Sequence, residues 1–420
     1  MQVLRRSASQ FRKWWLVVFL LTFAPAALAG NIWYVDGVNG NDNNDCMSSQ
    51  TACQTIGHAI SLASSGDSIM VAPATYTENL TISFNLKVFG SSAATTIVNG
   101  SGGGSGITIS GGTTHVVLSK LTVRGGSPYK SRGGGINNHG TLTLAESVIT
   151  NNVAKASHGG GIFNGGAMAI NKTVVSGNYA DWFGGGIFNS GTLLIDNTTV
   201  SGNTAMGIRA GGGGIFNDGM LTITNSTVSN NHAGSNVGGG GIQNASQGTV
   251  LINNVTISGN SSLEDGAAIS SQGMLLINNG TISGNSSLYG GVAISSDGTA
   301  ILQNSILANL GGNCSGTVTS DGYNLSSDDT CNFTGPGDMN NTDPKLGGLG
   351  YNGGPTQTIP LLSGSPAIDG GNPNGCTDSN GKLLTTDQRG WPRPGKYDTG
   401  PCDMGAYELQ TEIGPAPVAH

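Results

Sequence analysis

The sequence predicts an all-β protein, a right-handed parallel β-helix with three strands and about 26 residues in each coil. The first observation is a string of the form GGGIFN that recurs seven times in intact or degenerate form. Its aligned isoleucines, 25 to 28 residues apart, are Ile136, Ile162, Ile187, Ile215, Ile242, Ile269 and Ile294. The second observation is a run of the TVSGN type that keeps the same spacing, with a third apolar run such as TLLI at 192–195 between the two. A fixed period of this length is the signature of a solenoid.

Each repeat has the composition of three short strands joined by turns. The apolar runs hold three to five residues, too few for a helix, and Gly, Asn or Ser bounds each of them. If every strand pairs in parallel with its equivalent in the next coil, about 4.8 Å away, identical side chains stack into ladders. Ile, Val and Leu then fill the interior, and Asn ladders form at the corners. The chirality of parallel connections favours the right-handed form.

Composition excludes several other classes of protein. Glycine accounts for 71 of 420 residues, against about 7% in average proteins. It shows no three-residue period, so a collagen triple helix is excluded. The formal net charge is −7, and it becomes −11 when the four basic residues among the first 29 are left out. So acidic a chain argues against a nucleic-acid partner.

Residues 1–29 are predicted to be a secretory signal peptide. Four basic residues precede the apolar stretch WWLVVFLLTFAPAA, and Ala27-Leu28-Ala29 supplies a small-residue cleavage site. No other apolar stretch approaches the ~20 residues that a membrane-spanning helix needs. We therefore expect an exported protein, secreted or at the cell surface, whose mature chain has no transmembrane helix.

The six cysteines suit an exported protein and predict disulfides. They fall in three close pairs outside the repeats: Cys46 with Cys53, Cys314 with Cys331, and Cys376 with Cys402. Six cysteines allow 15 connectivities, and nearest-neighbour pairing is favoured if the solenoid holds the three groups apart. The C-x-x-C spacing of metal sites is absent, so no zinc site is expected.

The chain divides into six predicted segments. After the signal peptide, residues 30–68 form an N-terminal cap, in which TACQTIGHAISLAS has helical spacing. A cap is needed because the end of a β-helix is an open sheet edge. The other segments are the β-helix repeats at 69–312, a disulfide-stapled connecting segment at 313–340, a small C-terminal domain at 341–408 and a tail at 409–420.

Three parts of the chain resemble known families. Residues 32–125, where GDSIMVAPATYTENLTI follows the cap helix, resemble the N-terminal part of pectate-lyase-like β-helix proteins. The paired GGGI and SGN runs over 133–310 resemble the repeats of polymorphic outer-membrane proteins and related bacterial surface β-helices. The NGGPT, LLSGSPAID, DQRG and CDMGAYE runs, in that order within 341–408, resemble the choice-of-anchor Q domain, which ends many exported bacterial β-helix proteins. These resemblances imply a β-helix exported by bacteria.

No catalytic constellation stands out, and the sequence favours a non-enzymatic protein. A β-helix polysaccharide lyase needs an Arg or Lys base beside carboxylates that hold calcium, and a glycosidase needs two carboxylates at a defined separation. The DD of 328–329 and the NTD of 341–343 lie outside the repeats. Charged residues within the repeats are scattered singly: Lys120, Arg124, Glu146, Lys172, Asp196 and Asp218. A lyase or glycoside hydrolase acting on an acidic polysaccharide is the alternative.

Candidate binding residues lie in the loops between each SGN run and the next GGGI run, where the copies stop agreeing. Because the repeats are in register, these loops should line up along one edge of the solenoid. Their aromatic and charged side chains suit a glycan or a surface-protein partner, although loops also diverge simply where packing does not restrain them. The predicted ligand-binding residues are Tyr129, Lys130, Arg132, His158, Tyr179, Asp181, Trp182, Arg209, Glu264, Asp265 and Tyr289. By contrast, Phe163, Phe188 and Phe216 repeat with the scaffold and predict a structural stack.

We expect no cofactor and no bound metal, with calcium as the alternative. An oxygen-rich loop precedes Cys46, and calcium prefers oxygen ligands. The loop residues are Asp36, Asn41, Asp42, Asn44 and Asp45. Their spacing is not that of an EF-hand, because the required Gly and Glu positions are missing. A disulfide-stapled polar turn is the other interpretation of this loop.

Overall fold

The computed structural model describes residues 30–207, 210–234, 238–395 and 400–410. In these ranges the chain is a parallel β-helix with one α-helix, Ile56–Leu62, and one 3₁₀ turn, Ser49–Thr51, which confirms the predicted fold class. The predicted signal peptide and all but two residues of the predicted tail lie outside the described residues. Within the described ranges, no helix is both long enough and apolar enough to span a membrane.

Four strand positions recur and form four stacks along the solenoid. The isoleucine stack contains Leu80–Ile82, Ile107–Ile109, Ile136–Asn138, Ile162–Asn164, Ile187–Asn189, Ile215–Asn217, Ile242–Asn244 and Ile269–Ser271. The leucine stack contains Ile32–Val35, Ser68–Val71, Leu86–Gly90, His115–Ser119, Thr141–Ala145, Ala167–Asn171, Thr192–Asp196 and Met220–Thr224. The valine stack contains Ala74–Thr77, Thr96–Asn99, Thr122–Arg124, Val148–Thr150, Val174–Ser176, Thr199–Ser201, Thr227–Ser229, Ile306–Leu310 and Leu325–Ser326. The short stack contains Val153–Ala154, Tyr179–Ala180, Thr204–Ala205, His232–Ala233 and Ser261–Ser262.

Four longer strands bend from one stack into the next. Thr249–Ser258 and Met274–Ser287 pass from the leucine stack into the valine stack, and Ile294–Gln303 and Cys314–Ser320 pass from the isoleucine stack into the leucine stack. The short stack is a fourth strand position beyond the three that the sequence predicts. Its members hold only two residues each, which is too short for an apolar period to be visible in the sequence.

The register follows the predicted repeat. Ile136 pairs with Ile162, and Ile162 with Ile187, and the ladder continues to Ile294. All seven aligned isoleucines are fully buried. We number the coils 1 to 7 by these isoleucines, and the loop of a coil is the segment just before its isoleucine. The interior is therefore the predicted column of aliphatic side chains.

Buried asparagines form two hydrogen-bonded ladders at the corners. In the first, the Nδ2 of each Asn donates to the Oδ1 of the next, for example from Asn138 to Asn164 at 2.7 Å and from Asn164 to Asn189 at 2.8 Å. In the second, the side chain of Asn178 donates to Asn203 at 3.0 Å, and Asn203 donates to Asn231 at 2.9 Å. Each amide is thus satisfied inside the solenoid, where an unpaired polar group would be costly.

A left-handed corner precedes the valine stack in each coil. Its φ angles lie between 46° and 58° at Lys120, Glu146, Lys172, Asn197, Asn225, Asn254, Asn279 and Asn304. The two lysines and the glutamate are exposed, as single solvated charges should be. Asparagine occupies this corner in the later coils, and Asn254, Asn279 and Asn304 are buried there. Of these, Asn254 and Asn279 donate side-chain hydrogen bonds to the C-terminal segment, to the Thr386 and Thr377 carbonyls, both at 2.9 Å.

The N-terminal cap uses carboxylates as structural acceptors. Glu78 accepts hydrogen bonds from the first helical N–H groups, Ile56 at 2.9 Å and Gly57 at 2.7 Å. Asp42 accepts from the Thr55 N–H at 2.9 Å and from its hydroxyl at 2.8 Å. Hydrogen bonds lower the pKa of Asp36 and Asp45 below the ordinary value; at Asp42 burial raises the pKa, and the hydrogen bonds together outweigh it, so that pKa is lowered too. The carboxylates of this candidate calcium loop therefore stabilise turns and the start of the helix.

The solenoid extends beyond the predicted boundary at residue 312. Cys314 pairs with Ile294, and Leu325 pairs with Ile306, so another short coil stacks on coil 7. This boundary needs correction because a cysteine occupies the isoleucine position and the coil is shorter, which hides the repeat. The disulfides are Cys46–Cys53, Cys314–Cys331 and Cys376–Cys402, the nearest-neighbour pairs.

The C-terminal segment, residues 341–410, folds back along the outer face of the valine stack. The Gln388 side chain accepts from the Thr256 hydroxyl at 2.7 Å and donates to the Thr227 hydroxyl at 3.1 Å. Arg393 Nη1 donates to Asn254 Oδ1 at 2.9 Å. The DQRG and CDMGAYE runs thus provide docking and internal ion pairs.

Candidate functional site

The loops of successive coils stack along one edge, as the repeat predicts. Lys130 N–H donates to the Lys155 carbonyl at 2.9 Å, Asp181 N–H donates to Ala154, and Met206 N–H donates to Ala180. These parallel backbone bonds hold loops with different sequences at the spacing of the coils. Side chains from coils 1 to 4 therefore share one surface.

A cleft of about 790 Å³ opens on this edge between the loops of coils 2, 3 and 4. We call it the Trp182 cleft, and its lining residues are Ala156, Tyr179, Asp181, Trp182, Phe183, Met206 and Gly207. Trp182 is 47% exposed and Met206 is 46% exposed. An exposed indole face beside a carboxylate can stack on a ligand while a hydrogen bond fixes its orientation.

Asp181 and Tyr179 are held in place by the short stack. The backbone of Tyr179 pairs with Thr204 of the next coil, and Asp181 Oδ2 accepts a hydrogen bond from Ala156 N–H at 2.5 Å. Burial, followed by the nearby Asp181 carboxylate, raises the pKa of the Tyr179 hydroxyl above its ordinary value. The Tyr179 hydroxyl therefore stays protonated at neutral pH beside the Asp181 carboxylate, to which it is hydrogen-bonded.

His158 supports the floor of the cleft as a neutral ring. Its ring lies 5.0 Å from Trp182 in an edge contact, is stacked on Phe183 at 5.5 Å, and lies 4.8 Å from Phe188. Burial, followed by the charge of Arg132, lowers the pKa of His158 to about 4. At neutral pH this side chain is consequently an uncharged packing partner that positions Trp182.

The three repeated phenylalanines form the predicted structural stack on the outer side of the isoleucine strands. The Phe163 and Phe188 rings are 5.5 Å apart, and the Phe188 and Phe216 rings are 4.9 Å apart, both nearly parallel. They form an apolar cluster of their own, with Phe183 packed against it. Arg132 lies over the Phe163 ring at 4.8 Å. This phenylalanine stack gives the Trp182 cleft a rigid base.

Cationic side chains occupy the edge on one side of the cleft. Lys130, Arg132 and Lys155 are exposed on coils 1 and 2, and Lys130 lies 5.2 Å from the ring of Tyr129. Tyr129 is 68% exposed. In the described part of the chain, both salt bridges lie in the C-terminal segment, so these cations face solvent.

The other predicted residues lie apart from the cleft. Tyr289 is exposed on coil 7, four coils from Trp182, which is about 19 Å at the spacing of parallel strands. Asp265 on coil 6 accepts from Val292 N–H at 3.1 Å and from the Ser315 hydroxyl at 3.3 Å, so it joins neighbouring loops. Glu264 is its chain neighbour, and Arg209 lies outside the described residues. Met206 lines the cleft but is missing from the sequence prediction.

Carboxylates of the DD and NTD runs accept hydrogen bonds within local turns, away from the cleft. Asp343 of the NTD run accepts from Lys345 N–H at 2.9 Å, and Asp328 accepts from Thr330 N–H at 3.0 Å. Among the described residues, the group with metal-site proximity is Cys46, Cys53 and His58. Because these cysteines are joined in a disulfide, their thiolates are not available as ligands.

Comparison with known proteins supports the fold. Neither a known protein family nor a curated protein matches the chain by sequence. Among solved structures, pectate lyase Pel9A is 16% identical with a TM-score of 0.51, over 90% of this chain and 96% of that chain. The pectin methylesterase PemA from Erwinia chrysanthemi is 15% identical with a TM-score of 0.33, over 65% and 81%. The pectin methylesterase from Aspergillus niger is 16% identical with a TM-score of 0.34, over 75% and 87%. At such identities the likeness to pectate lyase shows a shared β-helix fold, and the methylesterases are too distant to add to it.

Proposed function

We propose that this chain is an exported β-helix protein that binds an extracellular glycan in the Trp182 cleft without cleaving it. The observation that carries the proposal is the half-exposed Trp182 beside Asp181 and Tyr179 in a cleft of about 790 Å³. Binding sites commonly combine an aromatic surface with a few placed polar groups. Sugar rings offer apolar C–H faces to the indole and hydroxyls to the carboxylate.

Rigidity of the cleft adds to this proposal. Asp181 is fixed by Ala156, and Trp182 rests against His158, which rests on the phenylalanine stack. A pre-organised site loses less conformational entropy when a ligand binds. The cations of coils 1 and 2 lie next to the cleft along the edge and favour a glycan that carries acidic groups.

Export is proposed from three features of the chain. The N-terminal 29 residues have the pattern of a secretory signal, the described cysteines are all disulfide-bonded, and the C-terminal runs resemble a domain of exported bacterial β-helices. Disulfides persist in oxidising compartments. We expect the protein to be secreted or displayed at the cell surface.

The first test is binding to a glycan array, followed by calorimetry with the glycan that the array selects. Trp182→Ala removes the stacking surface and is expected to cost about 2 kcal/mol, roughly a 30-fold loss of affinity. Trp182→Phe should retain part of the affinity. Tyr351→Ala is the matched control, because Tyr351 is 72% exposed on the C-terminal segment. Equal affinity of the wild type and Trp182→Ala would show that the glycan does not bind in the Trp182 cleft.

The second test separates binding from catalysis. Incubation of the protein with pectin or alginate, with and without calcium, is followed by ultraviolet absorbance of unsaturated uronate products and by reducing-end assay. We expect no product. Sustained product release that is lost in Trp182→Ala would establish the alternative, a polysaccharide lyase or hydrolase working on this edge.

A further inference from the structure

A buried ionic cluster lies where the C-terminal segment meets the solenoid. Its five side chains are all at most 6% exposed: Asp387, Arg389, Arg393, Asp403 and Glu408. Arg389 Nη2 lies 2.7 Å from Asp387 Oδ2, and Arg393 Nε lies 2.9 Å from Glu408 Oε2. Asp403 accepts from the Asp369 N–H at 2.8 Å and from the Leu409 N–H at 2.6 Å.

The cluster connects directly to the solenoid through neutral groups. Arg393 donates to Asn254 Oδ1 at 2.9 Å and to the Gly405 carbonyl at 2.8 Å. In turn, Gly405 N–H donates to the Asn304 carbonyl at 2.7 Å, and Ala406 N–H donates to the Thr281 hydroxyl at 2.9 Å. Any change in the charge of the cluster therefore acts on the contacts that dock the segment.

The charges of the cluster do not cancel. Among the described residues, two guanidinium groups face three carboxylates, which leaves one negative charge in a buried site unless a proton is taken up. A buried charge without a partner is costly, and a carboxyl group avoids the cost by staying protonated. Glu408 Oε1 is buried and has no hydrogen-bond partner among the described residues. Burial, the largest effect, raises the pKa of Asp403 to about 6 and that of Glu408 to about 7.

In the described structure, the charged groups around the Asp403 and Glu408 carboxyl groups all belong to the C-terminal segment. Glu408 contacts Arg393 and the Asp403 N–H through its carboxylate, and its backbone contacts Arg389 and Asp387. Asp369 lies beside Asp403 and raises its pKa further. The solenoid contributes the neutral side chains of Asn254 and Thr281.

We propose that this cluster is a proton-dependent latch that fastens the C-terminal segment to coils 5 to 7. With one proton shared by Asp403 and Glu408 the cluster is neutral and the segment is docked. Loss of that proton leaves a net buried charge and weakens docking. This regulation is independent of glycan binding, because the latch lies on the valine stack and the Trp182 cleft lies on the loop edge.

The direction of the pH effect follows from the raised pKa values. Between the ordinary carboxyl pKa and the raised one, the docked state holds a proton that the undocked state has lost. Docking is therefore strongest near pH 4.5, weakens as the pH rises towards about 7, and changes little above that. The proton belongs to the pair, so both carboxyl groups contribute to one titration.

Hydrogen exchange of the intact mature protein tests the latch. Protection factors, corrected for intrinsic exchange at each pH, are measured between pH 4.5 and 8 for peptides covering 384–395 and 401–410. Peptides covering coils 1 to 3 provide the internal reference. We expect protection of the C-terminal peptides to fall at least about tenfold relative to the reference over this range, the equivalent of one pKa unit.

Two variants locate the effect. Glu408→Gln removes the titrating group and should flatten the pH profile of the C-terminal peptides, while Glu146→Gln, at an exposed corner, should keep the wild-type profile. A flat wild-type profile overturns the latch even if Glu408→Gln fails to fold. A wild-type profile that persists unchanged in Glu408→Gln, or protection that increases with pH, overturns it as well.

Discussion

Adjacent asparagines on one strand offer the sharpest test of how the repeat stabilises the fold. Asn138 is fully buried, and its Nδ2 donates to Asn164 Oδ1 at 2.7 Å. Its Oδ1 accepts from Gly140 N–H at 3.1 Å. Asn137 precedes it and points to the outer side of the sheet, and its Oδ1 has no hydrogen-bond partner in the described structure. The two residues have the same chemistry and different surroundings.

We predict that Asn138→Ala destabilises the coil and that Asn137→Ala does not. The first substitution leaves the Gly140 N–H and the Asn164 Oδ1 without these partners inside the protein. At about 1–3 kcal/mol for each of these two buried unsatisfied groups, the expected loss is about 2–6 kcal/mol. The second substitution removes no hydrogen bond to the side-chain oxygen and should change stability by less than about 0.5 kcal/mol.

Native-state hydrogen exchange is the appropriate assay, because a long repeat array need not unfold in one cooperative step. Opening free energies are compared for peptides that cover residues 136–171 in the wild type and the two variants. Equal losses in Asn137→Ala and Asn138→Ala would refute the reasoning, because the ladder would then contribute no more than a half-buried surface asparagine.

Three further predictions concern the cap, the aromatic stack and pH. Glu78→Gln leaves one of the Ile56 and Gly57 N–H groups without its acceptor and removes a negative charge at the helix start. The free energy of unfolding of the cap, followed by circular dichroism, should therefore fall by about 1–2 kcal/mol; Glu146→Gln, at an exposed corner, is the control. Phe188→Ala opens the stack between Phe163 and Phe216 and should cost about 3 kcal/mol in thermal unfolding, and a loss below about 1 kcal/mol would show that the stack is not structural. The ring of His158 should titrate near pH 4 in an NMR experiment. Because the folded pKa is lowered, its contribution to stability is present above about pH 6.5 and is lost as the pH falls from there towards 4; a midpoint near 6.5 would show that the ring is not buried.

The repeating part of the fold could be predicted because each coil repeats its chemistry. The Ile136-to-Ile294 ladder and the buried asparagines follow from spacing alone, since parallel stacking places equivalent residues together. The extra coil after residue 312 was hidden because Cys314 occupies the isoleucine position. The short stack could not be predicted because strands of two residues show no apolar periodicity.

Docking of the C-terminal segment could not be read from the sequence. Gln388 contacts Thr227 across 161 residues of chain. The threonine itself belongs to an ordinary-looking strand run, so nothing local distinguishes a covered strand from an exposed one. Asparagine at the left-handed corner is no guide either, because Asn254 and Asn279 contact the C-terminal segment whereas Asn197 donates to its neighbour Asp196.

The candidate site could be predicted in part. Variation among the loops identified Trp182, Asp181 and Tyr179, which the structure brings together. Met206 was missed because a single methionine in a variable loop carries no pattern. Asp265 was included for its charge, whereas its hydrogen bonds to neighbouring loops depend on stacking that a sequence does not display.

The most direct measurement of the central claim is a hydrogen-exchange footprint of the bound glycan. The mature protein is compared with and without the glycan that binds best on the array. Binding in the Trp182 cleft predicts protection in peptides that cover 179–186 and 204–207, with coils 6 and 7 and the C-terminal segment unchanged. Protection centred on 264–265 and 288–289, or no protection by any glycan on the array, would contradict it.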